Sequence, residues 1–237
     1  MGRLRVAFDL LRSDPLALIR YIFHLFYSRI NSFLLFQTQW FPRWWNERYI
    51  GSTPGGFVVD VGCNWGRMAT LQRHLGREAV GVDLQSFDRW RELDGEFTVG
   101  DCQTLPIRSG VADVCVSLLS LGYMPDDEGA LREMNRVLAP GGRIAIAVAN
   151  RENLYSRRTG RFLEEDHVHE YSVDEIQAKV EEAGFTVEEI WTEKIYFPYL
   201  MPTLNTVVPN SLLILLSFML PAEYRGVIYV KARKPET

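Results

Sequence analysis

The stretch Val58-Val59-Asp60-Val61-Gly62-Cys63-Asn64-Trp65-Gly66-Arg67 runs from an apolar, strand-like segment through a glycine-punctuated turn into a helical pattern at Met68, Leu71 and Leu75. These residue types suit the holding of a nucleotide-like ligand. Glycines let backbone approach a ligand closely, and a helix N-terminus carries partial positive charge. Gly62 and Gly66 stand four apart with Asp60 two residues before the first, whereas a dinucleotide fingerprint reads G-x-G-x-x-G. The spacing disfavours a nicotinamide oxidoreductase.

A second group with chemical potential is His167-Val168-His169, flanked by Asp166 and Glu170. A His-x-His pair beside two acids could ligate a metal, but no further spaced ligand accompanies it, so no metal is expected. Acid–base work on a substrate and structural hydrogen bonding are the other two readings. Tyr123 and Tyr171 could touch substrate or simply pack.

The elements that must position these groups begin after the turn-rich Ser52–Gly56. Strand patterns fall near 57–61, 78–83, 96–99, 112–117 and 142–149, and helical patterns near 66–75, 86–92 and 126–138. Such alternation argues for a mainly parallel sheet covered on both faces. Ligands then sit outside the carboxyl ends of the strands, where Gly62, Asp83, Asp101 and Ser117 would converge. Residues 150–170 read as an irregular crossing. Ser172 is a candidate N-cap with Glu175 completing a capping box, and Gly184 closes that helix before a strand starting at Phe185.

The D-x-G-x-x-x-G pattern of Asp60, Gly62 and Gly66 resembles the first motif of class I S-adenosylmethionine-dependent methyltransferases of the small-molecule type. The resemblance continues in order through Val80-Gly81-Val82-Asp83, Val99-Gly100-Asp101-Cys102, Leu105-Pro106, Ala112–Ser117 and Glu133–Gly142. It implies a Rossmann-like α/β fold: a seven-stranded, mainly parallel sheet with helices on both faces and an antiparallel last strand. It implies S-adenosyl-L-methionine as cofactor, held by Asp60, Gly62, Cys63, Asn64, Gly66, Asp83, Leu84, Asp101 and Cys102, with Ser117 and Leu118 near its methionine end. Asp83 would take the ribose hydroxyls, since a carboxylate offers paired acceptors to two vicinal donors. Asp101 would meet the adenine amino group. Asn64 departs from the family's frequent middle glycine, though asparagine tolerates left-handed backbone. Gly122-Tyr123 stands where many relatives carry an acid and a histidine. The catalytic candidates are therefore His167, His169 and Tyr123.

Methyl transfer displaces a sulfonium leaving group that the cofactor already carries, so alignment and exclusion of water are the protein's main contribution. A base is needed only if the acceptor must lose a proton. At 237 residues, the chain is expected to hold one such domain over 51–237, preceded by an N-terminal helical cap at 1–50. The apolar, aromatic stretch 15–49 reads as a cap packed on the sheet or as an interfacial, membrane-peripheral segment. A second apolar stretch, about 196–221, is broken by Pro198, Pro202, Pro209 and Pro221, and its apolar patch from Leu212 to Pro221 is too short to span a bilayer. A net charge of −4 gives no general drive toward nucleic acid, so a small or lipid-like acceptor is expected, with a polar metabolite or glycan, or a binding scaffold without activity, as alternatives. A homodimer is compatible with the apolar segments. Three cysteines, an odd number, and no secretory leader pattern point to the cytoplasm.

Overall fold

The computed structural model describes residues 46, 50–51, 55–164, 166–194 and 216–236. The expected N-terminal cap, its membrane contact and most of the 196–221 insert lie outside the described residues. Among the described residues, no helix is long and apolar enough to cross a membrane.

Seven strands form one sheet: β1 (Phe57–Val61), β2 (Glu78–Asp83), β3 (Glu96–Val99), β4 (Ala112–Leu118), β5 (Leu138–Ala149), β6 (Thr186–Glu193) and β7 (Val227–Arg233). Their order is β3-β2-β1-β4-β5-β7-β6. The first five run parallel, and β7 lies antiparallel to both β5 and β6. The chain reverses direction across the sheet between β1 and β4, which makes their tips the switch point where such folds bind ligands.

Both sheet faces are apolar because both are covered. Val59, Val61, Val80, Val82, Ile144 and Ile146 face one layer, built by α2 (Asp127–Val137) and α4 (Val173–Glu182). Val58, Ala79, Val114, Val116, Ala145 and Ala147 face the other, where α1 (Arg67–His74) packs through Met68 and Ala69. Successive residues of one strand thus enter opposite cores, as a period of two requires.

The capping box at Ser172 and Glu175 forms as the sequence suggests. The expected helix over 86–92 does not. Asp88–Glu92 is a single 3₁₀ turn with none of its residues buried. Trp90 stacks on Phe97 at 5.2 Å and donates its indole N–H to the Asn64 carbonyl at 2.7 Å, so side-chain contacts rather than a helical face decide the local geometry. The crossing after β5 contains a short helix, α3 (Leu154–Thr159), capped by Asn153 and ended by left-handed Gly160.

Candidate cofactor and acceptor site

The turn after β1 is shaped by close approach. Gly62 has φ +73, and a Cβ there would stand 2.4 Å from the Ser120 Cβ. Gly66 has φ +75, and a Cβ there would meet the Phe97 ring at 2.4 Å. No side chain fits at either position. The Gly62 and Cys63 N–H groups donate to the Val82 carbonyl at 2.8 and 3.0 Å, so they tie the turn to β2. Asn64 keeps φ at +47 and donates its N–H to Asp83 Oδ2 at 2.8 Å. The asparagine therefore performs the turn that the family's glycine would make.

Asp60 lies beneath this turn, 3% exposed, and accepts the Ala69 N–H at 3.1 Å. It satisfies one of the unpaired N–H groups of the first turn of α1 and fixes that helix on β1. Burial pushes its carboxyl up to about 7, the Ala69 N–H pulls it back, and the charge of Asp83 adds to the rise.

At the tip of β2, the Asp83 Oδ1 accepts the Gln85 N–H at 3.3 Å. Each carboxylate oxygen thus takes one backbone donor and keeps lone-pair capacity for a hydroxyl. Leu84 beside it is 73% exposed, an apolar surface next to an acid. Asp101 follows β3 and turns the chain by accepting from Gln103 N at 2.8 Å. Cys102 is buried, and burial pushes its thiol up to about 12. Cys63, Cys102 and Cys115 are free, buried thiols held well above their ordinary range, with burial the main cause. Acids with open acceptor capacity beside exposed apolar surface match the two faces of an adenosine, so these residues fit S-adenosylmethionine.

The segment 105–109 that follows is clamped from α2. Glu133 accepts the Leu105 N–H at 2.7 Å and pairs with Arg136, whose guanidinium donates to the Leu105 and Ile107 carbonyls at 3.0 Å each. Sequence reading missed this role for Glu133 and Arg136; their i, i+3 spacing beside a loop is the signal that was available.

At the tip of β4, Ser117 is buried with its Oγ 2.6 Å from Ser120 Oγ, and Ser120 donates to the Val61 carbonyl at 2.9 Å. Leu118 is half-buried, and Leu119 adopts φ +56 with 40% exposure. A leucine in left-handed backbone is strained, and such strain gathers at functional positions. Beyond it, Leu121–Tyr123 form a 3₁₀ turn on which the later crossing rests: Val168 N and His169 N both donate to the Gly122 carbonyl, at 2.8 and 3.0 Å.

That contact brings His167 and Tyr123 together, with ring centroids 4.5 Å apart in an edge-on arrangement. His167 Nδ1 stands 3.1 Å from Glu170 Oε1. His169 points elsewhere, its Nε2 3.3 Å from the Pro125 carbonyl, so the two histidines do not act as a pair. Burial raises the Tyr123 hydroxyl, and Glu164, Asp166 and Glu170 raise it further, which keeps the phenol protonated. Among the described residues, no group of three or more His, Cys, Asp or Glu could hold a metal ion. A cavity of about 510 Å³ opens at the amino ends of β1 and β2, lined by Phe57, Arg73, Arg77, Glu78, Asp94 and Glu96. It lies at the opposite end of the strands from these groups.

Residues 59–146 match a family model described as a methyltransferase domain. Over 138 residues the chain is 27% identical to the tRNA (carboxymethyluridine(34)-5-O)-methyltransferase ALKBH8 of Mus musculus, which covers 57% of this chain and 21% of that protein. Over 108 residues it is 31% identical to the malonyl-[acyl-carrier protein] O-methyltransferase of Serratia marcescens, covering 43% and 42% of the two. The chain therefore spans less than half the length of either relative. Among solved structures, an S-adenosylmethionine-dependent methyltransferase from Mesorhizobium loti superposes with a TM-score of 0.57 at 18% identity, over 77% of this chain and 93% of that one. Residues 59–146, lying over β1 to β5, thus match a methyltransferase domain, set in the fold shared with S-adenosylmethionine-dependent methyltransferases.

Proposed function

We propose that this chain transfers a methyl group to a small acceptor with an apolar, lipid-like body. The observation that carries this reading is the rim on the acceptor side: Leu119, Tyr123, Phe162 and Val168 are 40%, 45%, 39% and 50% exposed. The Gly122 carbonyl ties the first two to the segment that bears the others. Apolar side chains left open around a site favour a ligand that covers them.

S-adenosylmethionine supplies both the reacting methyl group and its leaving sulfur. Asp83 and Asp101 would hold the adenosine by its hydroxyl and amino groups, Leu84 would lie against its base, and the Gly62–Gly66 turn would admit the chain that leads to the sulfur. Asp60 and Arg136 act one step back, fixing α1 and the 105–109 loop. Ser117 and Ser120 close the floor between the tips of β1 and β4. What remains for the protein is alignment and exclusion of water.

A nucleic-acid acceptor, as named for the mouse relative, finds less support. Arg151 and Arg157 on the crossing are paired with Glu175 and Glu152, at 3.0 and 3.5 Å, and the chain as a whole carries a net charge of −4. The test is transfer of label from methyl-tritiated S-adenosylmethionine to extracts of the source cells. Label partitioning into the organic phase is the expected result; label confined to RNA or to water-soluble metabolites would overturn the acceptor class.

A further inference from the structure

His167 carries a charge partner that a purely structural histidine would not need. Its side chain is 4% exposed and Glu170 is 2% exposed. Glu170 Oε1 faces His167 Nδ1 at 3.1 Å and also accepts the Leu163 N–H at 2.5 Å. Among the described residues, the buried Glu170 Oε2 has no hydrogen-bond partner. Both bonds at Oε1 could be accepted equally by a neutral glutamine. Burying a carboxylate with one bare oxygen costs free energy unless its charge is used. The use at hand is an imidazolium.

The ring has a defined orientation. Leu163 and Nδ1 share one acceptor, so Nδ1 carries the proton in the neutral ring and Nε2 keeps its lone pair. Among the described residues Nε2 has no hydrogen-bond partner, and it is not fully enclosed. The ring lies over Gly122: a Cβ there would stand 3.6 Å from Nε2 and 2.7 Å from the His169 carbonyl. Gly122 follows Ser120, which touches the Gly62 turn. His167 is thereby seated beside the tip of β4, next to the strained Leu119 and the half-exposed Tyr123. The Tyr123 ring, on the turn after β4, meets the His167 ring edge-on, and the charges of Glu164, Asp166 and Glu170 act on that tyrosine.

We propose that His167 is the base of the reaction, with Glu170 as the residue that positions it, and that the acceptor atom is a hydroxyl oxygen of an alcohol or phenol. The proposal rests on the methyl-transfer reading above. Nε2 takes the hydroxyl proton while the oxygen lone pair forms the new C–O bond to the methyl carbon, and the breaking C–S bond leaves its electron pair on sulfur. The imidazolium then returns its proton to solvent, with Glu170 offsetting its charge meanwhile. A carboxylate acceptor is already ionised and would have no use for this pair.

Two measurements test it on the full chain. In the ¹⁵N-histidine spectrum, neutral His167 is expected as the Nδ1–H tautomer; the Nε2–H tautomer would overturn the proposal. Glu170→Gln keeps the Oε1 acceptor and should keep that tautomer, whereas Glu170→Met should lose it. In the tritium assay, labelled product should survive mild alkali, as a methyl ether does. His167→Asn still donates to Glu170, so it should bind S-adenosylmethionine normally yet transfer about 100-fold less label. Alkali-released methanol, which marks an ester, or transfer by His167→Asn within about threefold of the parent, would overturn the base assignment. If a chain that binds S-adenosylmethionine labels no fraction at all, methyl transfer itself fails, and the tautomer still decides the pair.

Discussion

The Asn64 backbone N–H donates to Asp83 Oδ2 at 2.8 Å, which joins the turn after β1 to the acid at the tip of β2. The same asparagine takes a bond from Trp90 on its carbonyl, so one left-handed residue fixes three segments of the cofactor site. Asn64→Gly can adopt φ +47 freely and should leave stability within about 0.5 kcal/mol, whereas Asn64→Val should cost about 1–2 kcal/mol in urea denaturation. Equal stability of the two variants would contradict the role given to this turn.

Gly62 and Gly66 are excluded from carrying a side chain by Ser120 and Phe97. Gly66→Ala is expected to cost about 1–3 kcal/mol, from both contact and positive φ. In a double-mutant cycle, Phe97→Ala should recover part of that loss by removing the ring that the new methyl would strike. Strict additivity of the two changes would show that the ring is not the obstacle.

Asp60 gives the stability a pH dependence of defined sign. Its folded carboxyl is raised to about 7 from an ordinary 3.8, so between those values the native state holds a proton that the unfolded chain has released. This contribution is fully present below about pH 4 and is lost as pH rises through 7, by roughly 4 kcal/mol in total. Asp60→Asn keeps an acceptor for the Ala69 N–H and removes the buried charge. Its stability relative to the parent should rise between pH 5 and pH 8; a difference that stays flat over that range would refute the shift.

Arg136 reaches from α2 to the carbonyls of Leu105 and Ile107 and so holds the loop beyond Asp101. Arg136→Ala should cost about 1–3 kcal/mol and weaken S-adenosylmethionine about tenfold, since the loop beside the adenine position loses its clamp. Calorimetry showing unchanged affinity would separate the clamp from the cofactor site.

Much of this architecture could be read from the chain alone, for physical reasons that name its limits. Strands such as Val58–Val61 and Val80–Val82 are buried on both sides, so they appear as near-continuous apolar runs, broken in the first by Asp60. The strand-tip acids and glycines announce themselves by spacing. The segment 86–92 misled because its geometry is set at a distance: Phe87 meets Trp90, and Trp90 in turn stacks on Phe97 and donates to the Asn64 carbonyl. β5 begins at Leu138 rather than near 142, because Leu138 pairs with Ala112 ahead of a register shift. The short helix Leu154–Thr159 was signalled only by Asn153 and Gly160. The meeting of His167 with Gly122 and Tyr123 joins positions over forty residues apart, and no local pattern encodes it. Sequence alone named His167 and His169 together; the fold separates them and brings Glu170 to the first.

Titration of the full chain with S-adenosylmethionine in a calorimeter, alongside Asp83→Ala, tests most directly whether the strand tips form one cofactor pocket. One site per chain is expected, with affinity lowered at least about 30-fold in the variant and no heat from NAD. Undiminished affinity in Asp83→Ala would contradict the account.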